Sequence, residues 1–123
     1  MEQENKELLL KDLCGRLPYG VRVIIEYKQQ GVPGREEGIF DGYVYEEIKT
    51  DLDIITCIKP YLRPMSSMTE DEKEEYNSHI TGIQSGIDAA NLMIWIYQHH
   101  LDVFHLIEKG LALEAPENMY ENY

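Results

Sequence analysis

Leu10, Leu13, Cys14 and Leu17 recur at three- and four-residue steps while Glu7, Lys11 and Asp12 fall on the other side, so residues 5–14 are expected to form an amphipathic helix ended by Gly15 and Pro18. From Val21 the period drops to two. Val21, Val23, Ile25 and Tyr27 alternate with Arg22, Ile24 and Glu26, which predicts a half-buried strand over residues 21–28. QQGVPGREE (29–37), with Gly31, Pro33 and Gly34, reads as the loop of a hairpin, and GIFDGYVYEEI (38–48) as its second strand, bulged at Gly42. The third strand is DLDIITCIKPYL (51–62), apolar on both faces around Ile54, Ile55, Cys57 and Ile58. Pro60 and Pro64 cannot donate to a ladder, so this strand is expected to end there or to lie on an edge.

The C-terminal half follows a helical period. Thr69 can cap the amide of Glu72 while the Glu72 carboxylate reaches back, with Glu70 and Asp71 at the positive end of the helix dipole. Beyond that start, Ile80, Ile83, Ile87, Ala90, Ile94, Tyr97 and Leu101 form a heptad-like seam, read first as core and otherwise as an interface with a protein partner or a second copy. Gly82 and Gly86 each cost a helix interior about 1 kcal/mol, which predicts a break near TGIQSG and a firm helix over 88–99. Asp102 is expected to cap a short last helix, VFHLIEKG, closed by Gly110. LALEAPENMYENY is then an extended tail, docked to Ala115 and frayed beyond.

These elements predict an α+β fold in a single domain over 1–123. Residues 1–63 supply an N-terminal helix and a small antiparallel sheet of three or four strands, open or curled into a barrel. Residues 64–115 form a helical part and 116–123 a tail.

Charge changes the functional picture. The net charge is −12, and residues 64–123 carry eleven acids against two bases, whereas residues 1–63 carry twelve against nine. An acidic surface repels a phosphate backbone, so nucleic-acid binding is not expected outside the more balanced N-terminal half. The opening MEQENKELLL has no charged-then-apolar leader, and Thr81, Gln84, Ser85, Asp88 and Asn91 exclude a membrane span from the apolar stretch, so a cytoplasmic protein without membrane contact is expected. Cys14 and Cys57 sit among apolar neighbours and read as reduced, buried thiols.

Candidate chemistry is sparse. His79, His99, His100 and His105 lack the spacing of a metal site, and "YQHH" suits a helix C-terminus without one, so neither a metal nor a cofactor is expected. Ser66 and Ser67 lack a nucleophile elbow, the Glu46–Glu47 and Glu74–Glu75 pairs read as solvated, and no phosphate-binding glycine loop occurs. What remains is Lys59, Tyr61 and Arg63, which alternate so that in an extended backbone two cations would flank an aromatic ring on one face. Such a face suits an anion, a base or an acidic peptide, or is an edge strand guarded by charge.

ELLLKDLCGRLPYGVRV (7–23), IKPYLRPMSSMTEDE (58–72) and LIEKGLALEAPENMY (106–120) together resemble a family of short proteins, without an established activity, of gut anaerobic bacteria and their prophages. The resemblance implies a mobile-element context and no catalysis. The family pattern before Leu106 is Asp-Tyr-Arg-Gly, whereas this chain has Asp102, Val103, Phe104 and His105, so no role of that tyrosine or arginine carries over. The expected function is a soluble, non-enzymatic interaction or accessory module with a protein partner, a homo-oligomer included. Nucleic-acid association, or mimicry of nucleic acid by the acids of 70–75, is the alternative.

Overall fold

The structure, a computed structural model, describes residues 3–29, 32–50 and 58–120. Its elements are α1 (Gln3–Arg16), β1 (Arg22–Gln29), β2 (Val32–Ile39), α2 (Gly42–Thr50), β3 (Ile58–Leu62), α3 (Glu70–Thr81), α4 (Gly86–Gln98) and β4 (Leu113–Glu114), with single 3-10 turns at Leu17–Tyr19 and Met65–Ser67. This is an α+β fold. Among the described residues the strands form one open sheet of order β2-β1-β3-β4. It is mixed rather than antiparallel, because β4 runs parallel to β3, and it does not close into a barrel.

The hairpin differs from the sequence pattern. Residues expected to form its loop are the edge strand β2, paired with β1 from Arg22↔Ile39 to Gln29↔Val32. An edge strand needs ladder donors on one side only, which is why Pro33 and two glycines are admitted. The expected second strand is instead α2. Asp41 Oδ1 accepts the amides of Tyr43 and Val44, both at 3.1 Å, so its carboxylate starts a helix where Gly42 was read as a bulge. Of the third strand, residues 51–57 lie outside the described residues, Cys57 among them. Pro60 lies within β3, opposite Val23 of β1, and is not at a sheet edge. The β4 ladder begins one residue later, at Tyr61↔Leu113, so the missing N–H removes no rung to β4.

The main core packs α1 on the sheet, with Leu9, Leu13, Val21, Val23, Phe40, Ile58 and Leu62 fully buried or nearly so. Here α1 is rotated from its expected face. Leu9, Asp12, Leu13 and Arg16 are buried, while Cys14 is exposed. The reason is a buried ion pair: Arg16 Nε donates to Asp12 Oδ2 at 2.7 Å and Nη2 to Oδ1 at 3.0 Å, so both charges turn inward together. Residues 103–110 form turns rather than a helix. Asp102 accepts the amides of Leu106 (2.8 Å) and Ile107 (3.0 Å), and Gly110, at φ 74°, closes the turn. The tail is pinned beyond Ala115, because Tyr120 donates to the Tyr61 carbonyl at 2.7 Å and accepts the Arg22 amide at 2.9 Å.

Gly15 does not end α1; it is where α1 meets α4. A Cβ there would stand 2.5 Å from the Tyr97 ring, whose face carries the Arg16 guanidinium 5.1 Å from its centroid. Gly15→Ala is therefore expected to lower unfolding free energy by about 1–2 kcal/mol despite its better helix propensity. Denaturant unfolding would show this, and Tyr97→Leu in the same chain should recover part of the loss.

Candidate functional site

Lys59, Tyr61 and Arg63 do not make an open cationic face. Lys59 is half-buried; Tyr61 is 8% exposed and its hydroxyl donates to Glu37 Oε1 at 3.0 Å. Arg63 is held from several sides. Its guanidinium makes a two-pronged bond to Glu72, Nη1 to Oε2 at 2.9 Å and Nη2 to Oε1 at 2.7 Å, and also donates to the carbonyls of His99 (3.2 Å) and Ser67 (3.3 Å). Glu72 meanwhile completes the capping box with Thr69, accepting its amide at 2.9 Å and donating its own amide to Thr69 Oγ1 at 3.2 Å. The stretch is thus a junction of β3, α3 and α4, and its cation is committed to the fold.

The end of α4 is the other half of that junction. His100 adopts φ 57°, the amide of His100 donates to Tyr97 and that of Leu101 to Ile96, and Leu101 packs inward with Ile96. This is a left-handed helix stop built on histidine rather than glycine. The His100 ring stacks on Tyr120 at 3.8 Å between centroids. Burial, with Arg16, Arg63 and His99 nearby, pushes the imidazole down to about 4. The hydrogen bond from Arg63 is the main cause holding the Glu72 carboxyl at about 2.

From this junction α3 and α4 extend as a helical hairpin broken at Gly82–Ser85, as the glycines predict. Trp95 joins the two helices. Its indole donates to Glu75 Oε2 at 2.8 Å, and Tyr76, His79 and His99 surround it with centroids at 6.1, 5.8 and 4.3 Å. The seam does not form one core. Leu101 is fully buried and Tyr97 half-buried, but Ile80, Ile83, Ile87 and Ile94 are 43%, 40%, 74% and 40% exposed. Among the described residues six large hydrophobic side chains are exposed, and these four are most of them. The period holds, but Ile80, Ile83, Ile87 and Ile94 do not lie in the core as first expected. Helix α4 is apolar nearly all round, so periodicity could not say which side meets Trp95 and Ile96 and which meets water.

On α4 the outward side carries Ile87, Ala90, Asn91, Ile94 and Gln98, all exposed and spaced by three, four and seven. None is ionisable. From Tyr76 to Leu101, histidines aside, the one charged side chain is Asp88, in a chain that is 28% charged. Asp88 is also occupied: its carboxylate accepts the Gln84 amide at 3.0 Å and the Ser85 hydroxyl at 3.2 Å. Among the described residues, depressions open beside the start of α3 and along α3 itself. One of about 470 Å³ lies between Arg63–Thr69 and the tail, and another of about 590 Å³ opens along α3 over Asp71, Glu74, Glu75, Ser78 and His79. Among the described residues, no three His, Cys, Asp or Glu side chains are grouped to hold a metal ion, and no helix is long and apolar enough to cross a membrane. The chain matches no family model, no curated protein and no solved structure.

Sequence reasoning missed Glu75, Asp12, Arg16 and Tyr120. Only Asp12–Arg16 carried a local signal, an acid and a base four residues apart on one helix.

The junction predicts acid sensitivity in two steps. His100 titrates near 4 in the fold against an ordinary 6.5, so the unfolded chain binds the extra proton and stability falls as pH drops from about 6.5 to about 4. Glu72 titrates near 2 against 4.5, so its contribution is present above about 4.5 and is lost as pH drops towards about 2. Each step is expected to be about 2 kcal/mol once partial exposure is discounted. Denaturant midpoints across this range would show it, with His100→Asn flattening the upper step and Glu72→Gln the lower.

Proposed function

We propose that the protein is a non-catalytic association module that works through the outward face of α4. The observation that carries this reading is an exposed, charge-free stripe that holds Ile87 and Ile94 on a chain of net charge −12. Interface centres are marked by depletion of charge more than by bulk hydrophobicity, and a helix apolar all round is ordinarily covered on all sides. The fold needs Trp95, Ile96 and Leu101 of this region and leaves Ile87 and Ile94 outside. The resemblance of the three sequence segments to a prophage-associated family supports an accessory role in a mobile element, within the cytoplasm. Nucleic-acid mimicry by residues 70–75 is less well supported, because Glu72 is engaged by Arg63 and Glu75 by Trp95.

The test pairs folding with association. Ile87→Glu with Ile94→Glu is expected to keep the near-ultraviolet circular dichroism of the wild type and to change unfolding free energy by less than about 1 kcal/mol, as surface changes do. A photo-cross-linker at position 87, used in the cell of origin, is expected to give one defined adduct that disappears when Ile94→Glu is added and is absent when the cross-linker stands at exposed Lys73. Unfolding of the double variant, or the same adducts from positions 73 and 87, would sink the reading.

A further inference from the structure

We infer that the C-terminal segment 116–120 is a latch: the Tyr120 hydroxyl is wedged into the last rung of the β1–β3 ladder, and the chain has a second state in which the tail is released and Arg22 bonds to Tyr61 directly. None of the residues of this latch belongs to the exposed stripe of α4.

The register identifies the rung. β1 pairs with β3 through Val23↔Pro60, Ile24↔Lys59 and Ile25↔Ile58, so one further step sets Arg22 opposite Tyr61. Successive residues of a strand point their backbone groups to alternate neighbours. The Val21 carbonyl takes the Phe40 amide at 2.9 Å on the β2 side, so Arg22 turns its amide towards β3, where the regular acceptor is the Tyr61 carbonyl. Instead the Tyr120 hydroxyl stands between the two, accepting the Arg22 amide at 2.9 Å and donating to the Tyr61 carbonyl at 2.7 Å. Both backbone groups are satisfied with the tail in place. Both are satisfied again when the tail leaves and the strands close by one rung, so neither state strands a buried donor or acceptor.

The tail can move as a unit. The Ala115 amide still bonds to the Leu62 carbonyl at 2.8 Å, and beyond it Pro116, Glu117 and Asn118 are exposed. This bridge folds on itself, the Met119 amide donating to the Pro116 carbonyl at 3.1 Å and Asn118 turning at φ 72°. The depression of about 470 Å³ separates it from Arg63–Thr69. Tyr120 is the anchor at its far end: besides the two hydrogen bonds, its ring stacks on His100 with centroids 3.8 Å apart and planes at 16°. Release gives back the conformational freedom of the segment and replaces two bonds through the hydroxyl by one direct bond, which makes the released state a minor one within reach of the latched state.

Nuclear magnetic resonance of the full chain tests this. Saturation-transfer exchange in the wild type should find a minor state at Arg22, Tyr61, His100 and 116–120 with one common rate. Tyr120→Phe keeps the ring and loses the hydroxyl, and should raise the minor fraction about tenfold, the effect of one hydrogen bond. Tyr120→Ala should populate the released state fully. Amides 116–119 then become mobile, a coupling across a hydrogen bond appears between the Arg22 nitrogen and the Tyr61 carbonyl carbon, and the amides of Phe40 and Leu101 keep their protection from exchange. Wild type and Tyr120→Phe both without a minor state would overturn the latch. So would a folded Tyr120→Ala chain whose Arg22 amide exchanges freely with water and shows no coupling to Tyr61. Loss of protection at Phe40 and Leu101 in both variants would overturn it too, because the tail would then be part of the cooperative core. Should Tyr120→Ala fail to fold, the comparison of wild type with Tyr120→Phe alone decides.

Discussion

Three consecutive carbonyls at the end of α4 set the constraint on which the molecule turns. The chain must leave the helix at His99, reverse at His100 and return beside β3, which strips the carbonyls of His99, His100 and Leu101 of helical partners. All three are satisfied from elsewhere. The Arg63 guanidinium takes His99, the Arg63 amide takes His100 at 2.8 Å, and Arg16 Nη2 takes Leu101 at 2.6 Å, beside the local Val103 amide at 3.2 Å. A buried carbonyl left without a donor costs about 1–3 kcal/mol, so two arginines from distant elements hold together a corner that would otherwise open.

That constraint explains why charge is buried in so small a protein. Arg16 reaches Leu101 only by burying its guanidinium, and an unpaired buried cation is not tolerated, so Asp12 is buried one turn before it. Burial pushes the Asp12 carboxyl above its ordinary range even though Arg16 opposes this. Arg63 and Glu72 solve the same problem nearer the surface, where the pair is 12% exposed on each side. The rotation of α1 and the entry of Gly15 against Tyr97 follow from where the inner pair must lie.

Features set by adjacent residues were legible in the sequence, and features set by remote partners were not. The Thr69–Glu72 cap, the break at Gly82–Gly86, the first strand and the role of Gly110 depend on a few neighbouring positions and could be read directly. The exchange of β2 and α2 was hidden because a proline and glycines read as a loop until one knows that the strand lies at an edge. Arg63 was visible as a cation, but not that Glu72 and the His99 carbonyl would claim it, since the latter lies 36 positions away. The reading of the seam as core failed in another way. Its period was real, yet α4 is apolar on more than one side, and the side that the junction turns inward is decided by Trp95 reaching Glu75 and by Leu101 following the reversal at His100.

The same geometry leaves one side of α4 outside the folding core. Because polar bonds at both ends of the corner orient α4, its fixed side needs only Trp95, Ile96 and Leu101, with partly buried neighbours such as Leu92 and Met93, to complete a small second core. The other side is then free of any folding duty. A surface under no such duty in so acidic a chain would be expected to carry charge for solubility, as the exposed residues of α3 do. Ile87 at 74% exposure and Ile94 at 40% keep apolar surface in water instead, at a cost of roughly 25 cal/mol for each Å² left uncovered. The cost is offset when another surface covers them.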